Sequence, residues 1–333
     1  MSELNLDLVA IGNAMVDVLV EVPESFIEEQ SASGMIKGTM NLIDEARAVE
    51  LYAAMPPGIE MSGGSAGNTI AGFASFGGNG SYIGKTAQDQ LGDVFRHDMK
   101  AMGVRYDTTP LVIGAPTGRC LVLVTPDADR TMNTFLGSGV ELSIADIDEE
   151  LISAAQVTYM EGYLFDPPQA KEAYYKAAEI AHKAERKVSL TLSDPFCVDR
   201  HRDDFKDLVK NHVDILFANE EEIMSLYQVD TFEQAMDEVM SQCDIVALTR
   251  GDKGSVVLAD FDITEVPAES VSKVVDTTGA GDQYAAGFLY GFTQGMTLDM
   301  CGHLGSKAAA EVISHIGPRP AQKYADFLNT QAA

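Results

Sequence analysis

The 333-residue chain sets 51 acidic side chains against 23 basic ones, a formal charge of −28 that speaks against nucleic-acid backbones and anionic membrane surfaces as partners. Hydrophobic residues make up 46%, enough for one large α/β domain with an insertion or two modest domains. Cys120, Cys197, Cys243 and Cys301 form no CxxC pair, Met1 to Asp7 lacks a basic segment before an apolar run, and no stretch reaches about 18 apolar residues, so the expectation is a cytoplasmic protein with reduced thiols, neither zinc-bound nor disulfide-bonded, neither secreted nor membrane-spanning.

In chain order, Leu4, Leu6, Leu8 and Val9-Ala10-Ile11 predict a first strand ending at Gly12-Asn13, and Val16 to Val22 a second. Asp17 interrupts the second strand; a carboxylate there either caps a local turn or binds polar groups of a ligand. Residues 23–41 read as irregular, and Asp44 caps a helix that Pro56-Pro57-Gly58 stops. Next, Gly63-Gly64-Ser65-Ala66-Gly67-Asn68 enters a helical run through Ile70, Phe73 and Phe76. The glycine pair predicts a hinge or a close approach of ligand to backbone, and Asn68 either holds a hydroxyl or is an exposed loop amide. Gly84-Lys85-Thr86 is no P-loop, because Asn79 stands where GxxxxGK[ST] needs glycine; it reads as a strand exit into a helix over 89–102.

Residues 116–124 and 130–136, around the turn Pro126-Asp127-Ala128-Asp129, predict a hairpin belonging to a lid, in which Arg130 is a solvated turn charge or a phosphate clamp. Strands over 157–160, 188–192, 213–217, 245–249 and 255–259, with helices such as 169–186 and 220–242, predict a largely parallel sheet with helices on both faces and ligands beyond the carboxyl ends of the strands. Asn219 and Glu222 at one such end suit hydrated magnesium or, equally simply, a helix cap. Thr249 to Gly254 is a turn beside a nucleotide or a plain hairpin turn. His201-Arg202-Asp203 resembles a kinase catalytic loop only by chance, since Leu208 replaces the required asparagine and no DFG follows.

The stretch Val275 to Phe288 carries the most chemistry. Gly279, Ala280 and Gly281 make a tight turn, and Tyr284, Ala285 and Phe288 follow at helical spacing, which predicts a helix start whose free N–H groups suit a phosphate. Asp282 in its first turn is placed to take a proton from an attacking hydroxyl. An ordinary turn into a core helix fits the same residues, whereas a dinucleotide-binding GxGxxG would need glycine where Tyr284 stands.

Taken together, Gly63 to Asn68, Gly84 to Gly92, Asn219 to Glu222, Thr249 to Gly254 and Asp276 to Asp282 make the chain resemble the ribokinase-like, or PfkB, carbohydrate and nucleoside kinases from Gly12 to Gly317, with Asp276-Thr277-Thr278-Gly279-Ala280-Gly281-Asp282 the most specific part. Pro116 to Cys120, Asp129-Arg130 and Leu190 to Phe196 lean toward the adenosine kinases within it. The resemblance implies a ribokinase-like α/β fold: a large nucleotide-binding and catalytic domain from residues 1–16, 63–109 and 139–333, and a small β lid from 17–62 and 110–138.

The resemblance also implies roles. Asp282 would be the base, Gly279, Ala280 and Gly281 would present N–H groups to the transferring phosphoryl, and Arg130 would meet that phosphate from the lid. Asp17 and Asn68 would hold ribose hydroxyls, Asn13 would lie near the nucleoside, Gly63 and Gly64 at the hinge, Ser65 beside them in the substrate-binding set, and Phe135 against the base. Asn219 and Glu222 would organise magnesium through water, Thr249, Gly251 and Gly254 would border ATP, and Asp276 and Thr278 would frame a monovalent cation such as K+. Met40, Asn41 and Tyr163-Leu164 depart from some members, where base selectivity is set. The expected activity is ATP-dependent phosphorylation of a nucleoside 5′-hydroxyl, adenosine first, by a monomer or homodimer. Rivals are a kinase for inosine, guanosine, ribose or fructose, a non-catalytic nucleoside-binding regulator, and a dinucleotide-dependent oxidoreductase.

Overall fold

The structure is a computed structural model and describes residues 5–127 and 129–329; Leu4 of the first expected strand and Ala128 of the 126–129 turn lie outside the described residues. The strands are, in chain order, β1 (Leu6–Ile11), β2 (Met15–Glu21), β3 (Met40–Leu42), β4 (Ile59–Gly63), β5 (Gly80–Ile83), β6 (Arg105–Tyr106), β7 (Gly118–Val124), β8 (Arg130–Phe135), β9 (Ala155–Glu161), β10 (Lys187–Thr191), β11 (Ile215–Asn219), β12 (Ile245–Thr249), β13 (Ser255–Ala259) and β14 (Asp262–Val266). They form two sheets: a large one ordered β14-β13-β12-β11-β10-β9-β1-β5-β6 and a small one ordered β3-β8-β7-β2-β4.

From β6 to β12 every neighbouring pair in the large sheet is parallel, and only β13 and β14 run antiparallel. Parallel strands covered on both faces need apolar residues at successive positions, and β1 shows it: Val9 and Ile11 enter the core around Phe165, Tyr174 and Phe205, while Leu8 and Ala10 enter the one around Phe73, Phe95 and Phe288. The small sheet is also two-faced. Val18, Val20, Leu121 and Leu123 pack with Ile27 and Leu51, from the helices Glu24–Ser31 and Glu45–Ala54. The alternate residues Met15, Cys120 and Val122 line the opposite face, over the cavity described below.

The expected hairpin is β7 and β8, antiparallel with Val124 opposite Arg130. Elsewhere the elements differ from expectation. The helix expected over 220–242 is two, Glu220–Tyr227 and Phe232–Val239, because Gln228 turns left-handed (φ 56°) and Thr231 caps a new start. The stretch read as irregular from Pro23 contains the helix Glu24–Ser31. Among the described residues no helix is long and apolar enough to cross a membrane.

Candidate active site

A cavity of about 540 Å³ opens beyond the carboxyl ends of the parallel strands, between the large sheet and the small one. One wall is the start of the helix Ala280–Thr293, which packs against the helix Ser65–Ser75. Gly279 caps it in the left-handed region (φ 79°), with no room for a side chain: a Cβ there would stand 2.7 Å from Pro318. Ala280 N–H closes the turn on Thr277 O at 3.2 Å, so the N–H groups without a backbone acceptor among the described residues are those of Gly279, Gly281 and Asp282, not that of Ala280. This corrects the expected trio at one position. The Asp282 carboxylate, partly buried, faces the cavity and is held from both sides, by Ser65 Oγ on Oδ1 (2.6 Å) and by Asn68 Nδ2 on Oδ2 (2.9 Å). Asn68 is buried, not an exposed loop amide, and its Oδ1 has no partner.

One end of the cavity holds Asn13, Asp17, Gly64, Ser65 and Asn68. Asp17 is buried and its carboxylate makes no hydrogen bond among the described residues, which removes the turn-cap reading; Gly63 lies behind it, outside the cavity lining, where any side chain would collide with the carboxyl group. The small sheet supplies an apolar floor of Met15, Met40, Cys120, Val122, Met132 and Leu136. Phe135 is not part of it. Side chains along a strand alternate, so Met132, Thr134 and Leu136 enter the cavity and Phe135 points to the other face.

At the opposite end, Asn219, Glu222 and Thr249 line the cavity, but Gly251 and Gly254 do not. They sit in the turn between antiparallel β12 and β13, where Gly254 is required because its φ is positive and a Cβ there would stand 2.1 Å from Val266 O of β14. Asn219 and Glu222 form a reciprocal cap: Asn219 N and Nδ2 donate to Glu222 at 3.0 and 2.7 Å, and Glu222 N donates to Asn219 Oδ1 at 2.8 Å. The two readings of this pair coexist, since a carboxylate accepts through about four lone-pair sites and two are used. The pair fits hydrated magnesium through its waters. Asp276 and Thr278 do not fit a monovalent cation. Asp276 Oδ1 accepts from Thr278 N (2.9 Å), Oδ2 accepts from Gly317 N (2.7 Å) and from the Arg130 guanidinium, and Thr278 Oγ1 accepts from Arg130 Nη1 (3.1 Å). A guanidinium from the small sheet stands against the charge such an ion would neutralise.

Residues 55–323 match the model of the pfkB family carbohydrate kinases. The chain belongs to the pfkB family. It is 48% identical to the crystal structure of a probable sugar kinase protein from Rhizobium etli CFN 42, covering 98% of each chain at a TM-score of 0.93. It is 47% identical to an adenosine kinase from Sinorhizobium meliloti, covering 98% of this chain and 100% of that one, also at 0.93. The adenosine kinase of Saccharomyces cerevisiae is 25% identical over 340 residues, 95% of this chain and 97% of the yeast protein. The fold is therefore ribokinase-like, and the chain is a phosphotransferase acting on an alcohol group.

The electrostatics of this pfkB kinase were only partly legible in its sequence. Burial pushes Asp17, Glu161 and Glu222 up to about 7 and Asp282 up to about 6, with Ser65 and Asn68 pulling Asp282 back down. Sequence reasoning missed two of the charges. Glu161, the last residue of β9, is buried at the cavity wall. Arg319 follows the last long helix; burial lowers it to about 10, and Asp17 and Asp282 are among the carboxylates whose field acts on it. An arginine between two prolines in so acidic a chain was the available signal. His201, from the discarded kinase-like triplet, lies within the helix Pro195–His212, its Nε2 2.6 Å from Asp166 Oδ1.

Proposed function

We propose that this kinase transfers the γ-phosphoryl of ATP to the 5′-hydroxyl of a ribonucleoside, adenosine in the first place. The observation that carries the reading is the suspended carboxylate of Asp282, fixed by Ser65 and Asn68 and adjoining the free N–H groups of a helix start. A base on the same helix start as an anion cradle is what in-line transfer to an alcohol requires. The hydroxyl proton passes to Asp282 as the hydroxyl oxygen attacks the γ-phosphorus and the bond to the bridging oxygen breaks, releasing ADP, while the Gly279, Gly281 and Asp282 N–H groups hold the equatorial oxygens. Asn219 and Glu222 would hold the waters of a magnesium ion bound with ATP, which would neutralise charge on the phosphates.

The acceptor follows from the two faces of the cavity. Asp17, Asn13 and the unpartnered Asn68 Oδ1 suit ribose hydroxyls. The Met15, Met40, Cys120, Val122, Met132 and Leu136 floor suits the flat face of a base, and a free sugar would set its hydroxyls against those side chains unpaired. The 47% identical adenosine kinase supports the same reading. The second reading, a sugar kinase, draws on the name of the Rhizobium etli protein.

Measuring ADP release with adenosine, inosine, guanosine, ribose and fructose separates them. Adenosine is expected to exceed both sugars in kcat/KM by at least about 100-fold, because a hydroxylated ring gains nothing from the apolar floor; equal or faster turnover of ribose or fructose would transfer the assignment to a sugar. A second expectation concerns pH. Transfer needs Asp282 ionised, and its carboxyl is raised to about 6 while those of Asp17 and Glu161 at the same site are raised to about 7, so kcat/KM should begin to fall below about pH 8 and be lost as pH falls through about 6. A profile still flat at pH 5 would argue against Asp282 as the base.

A further inference from the structure

Glu161 has no part in the chemistry just described, yet it touches both halves of the acceptor site. It ends β9, is 1% exposed, and lines the cavity. Its Oε1 accepts from Asn13 N (2.8 Å) and from Asn13 Nδ2 (2.7 Å), and its Oε2 accepts from Ala66 N (2.6 Å). Three donors and no basic side chain define its surroundings, so both oxygens act as acceptors. Gly12 fits this arrangement, because a side chain there would overlap the carboxylate and Ala66.

The consequences run in two directions. With Nδ2 committed to Glu161, the Asn13 amide can turn only one way, and Oδ1 is the atom left for a ligand. At the other oxygen, Ala66 N–H belongs to the first turn of the helix whose Ser65 and Asn68 grip Asp282. We infer that Glu161 is the positioning residue of the acceptor site: one carboxylate sets the orientation of the Asn13 amide and fixes the helix start that suspends the base. It acts on the acceptor and not on the nucleotide, since its three bonds reach neither Asn219 nor Thr249. The inference rests on the kinase reading above, but not on which acceptor is used.

The experiment is a double-mutant cycle on the full-length kinase with whichever of the five acceptors above the wild type phosphorylates fastest, so that a wrong acceptor assignment leaves it intact. Glu161→Gln keeps the size but offers one acceptor and one donor, and so must leave either Ala66 or Asn13 facing a donor. It is expected to raise the acceptor KM at least about 10-fold and leave the ATP KM within about 2-fold. In an Asn13→Ala background the same change should raise the acceptor KM by no more than about 3-fold, because the amide it orients is gone. Glu161→Asp, which keeps the charge, should recover part of the loss if the glutamine variant folds poorly. Independent, multiplying effects of the two substitutions, an equal rise in the ATP KM, or an unchanged acceptor KM in Glu161→Gln would each overturn the inference.

Discussion

Asp282→Asn is expected to lower kcat by about 10³ to 10⁴, the range for losing a positioned general base, while leaving ATP affinity within about 3-fold. The asparagine has the same shape and can still meet Ser65 or Asn68, so the helix start and its free N–H groups should persist. What disappears is the proton acceptor. Single-turnover rates and nucleotide binding measured on one preparation separate the two effects. A variant retaining a tenth of wild-type turnover would show that the carboxylate does not take the proton, and the helix start would then have to supply the rate by electrostatics alone.

The second large effect concerns Arg130. Its guanidinium is 9% exposed and pairs with an Asp276 side chain that is wholly buried. Removing the cation leaves that carboxylate with two backbone N–H donors and no counter-charge, so Arg130→Met should cost about 3–5 kcal/mol of stability, the usual penalty for breaking a buried pair from one side. Adding Asp276→Asn in the same chain should restore part of it, which denaturant unfolding of the two variants will measure. A loss below about 1 kcal/mol would mean that the pair is solvated and open. Turnover should also fall by about 100-fold in Arg130→Met, because the same arginine bonds Thr278, one residue from the turn proposed to hold the phosphate.

What was legible in the sequence was local. Glycines bracketing Ala280 and apolar residues at helical spacing after them are a pattern within fifteen residues, and they led to the helix start and to Asp282. The regular alternation of strands and helices from Val157 led to the parallel sheet, and the hairpin around Arg130 followed from its turn. Phe135 was misplaced by a single position of strand parity, which the sequence leaves open until the buried face is known. Gly251 and Gly254 were placed beside ATP by the resemblance alone, because a glycine turn at a strand end looks alike whether it borders a ligand or only reverses the chain, and neither lines the cavity. Glu161 was invisible for a different reason: its partners are 148 and 95 residues away, so nothing near it in the chain marks it as more than an acid at the end of a strand. Asp276 was placed beside a monovalent cation by the resemblance alone, because the arginine that meets it lies in the small sheet, 146 positions earlier.

Asp17 belongs to β2 of the small sheet, whereas Asp282 starts a helix on the large one, and only Gly12, Asn13 and Ala14 separate β1 from β2. Under the reading proposed above, an alcohol held by the first acid would have to span the junction of the two sheets to reach the second. A water molecule is too short to be tethered at one end and delivered at the other. Discrimination against wasteful hydrolysis then becomes a question of molecular length, decided before any bond to phosphorus begins to form.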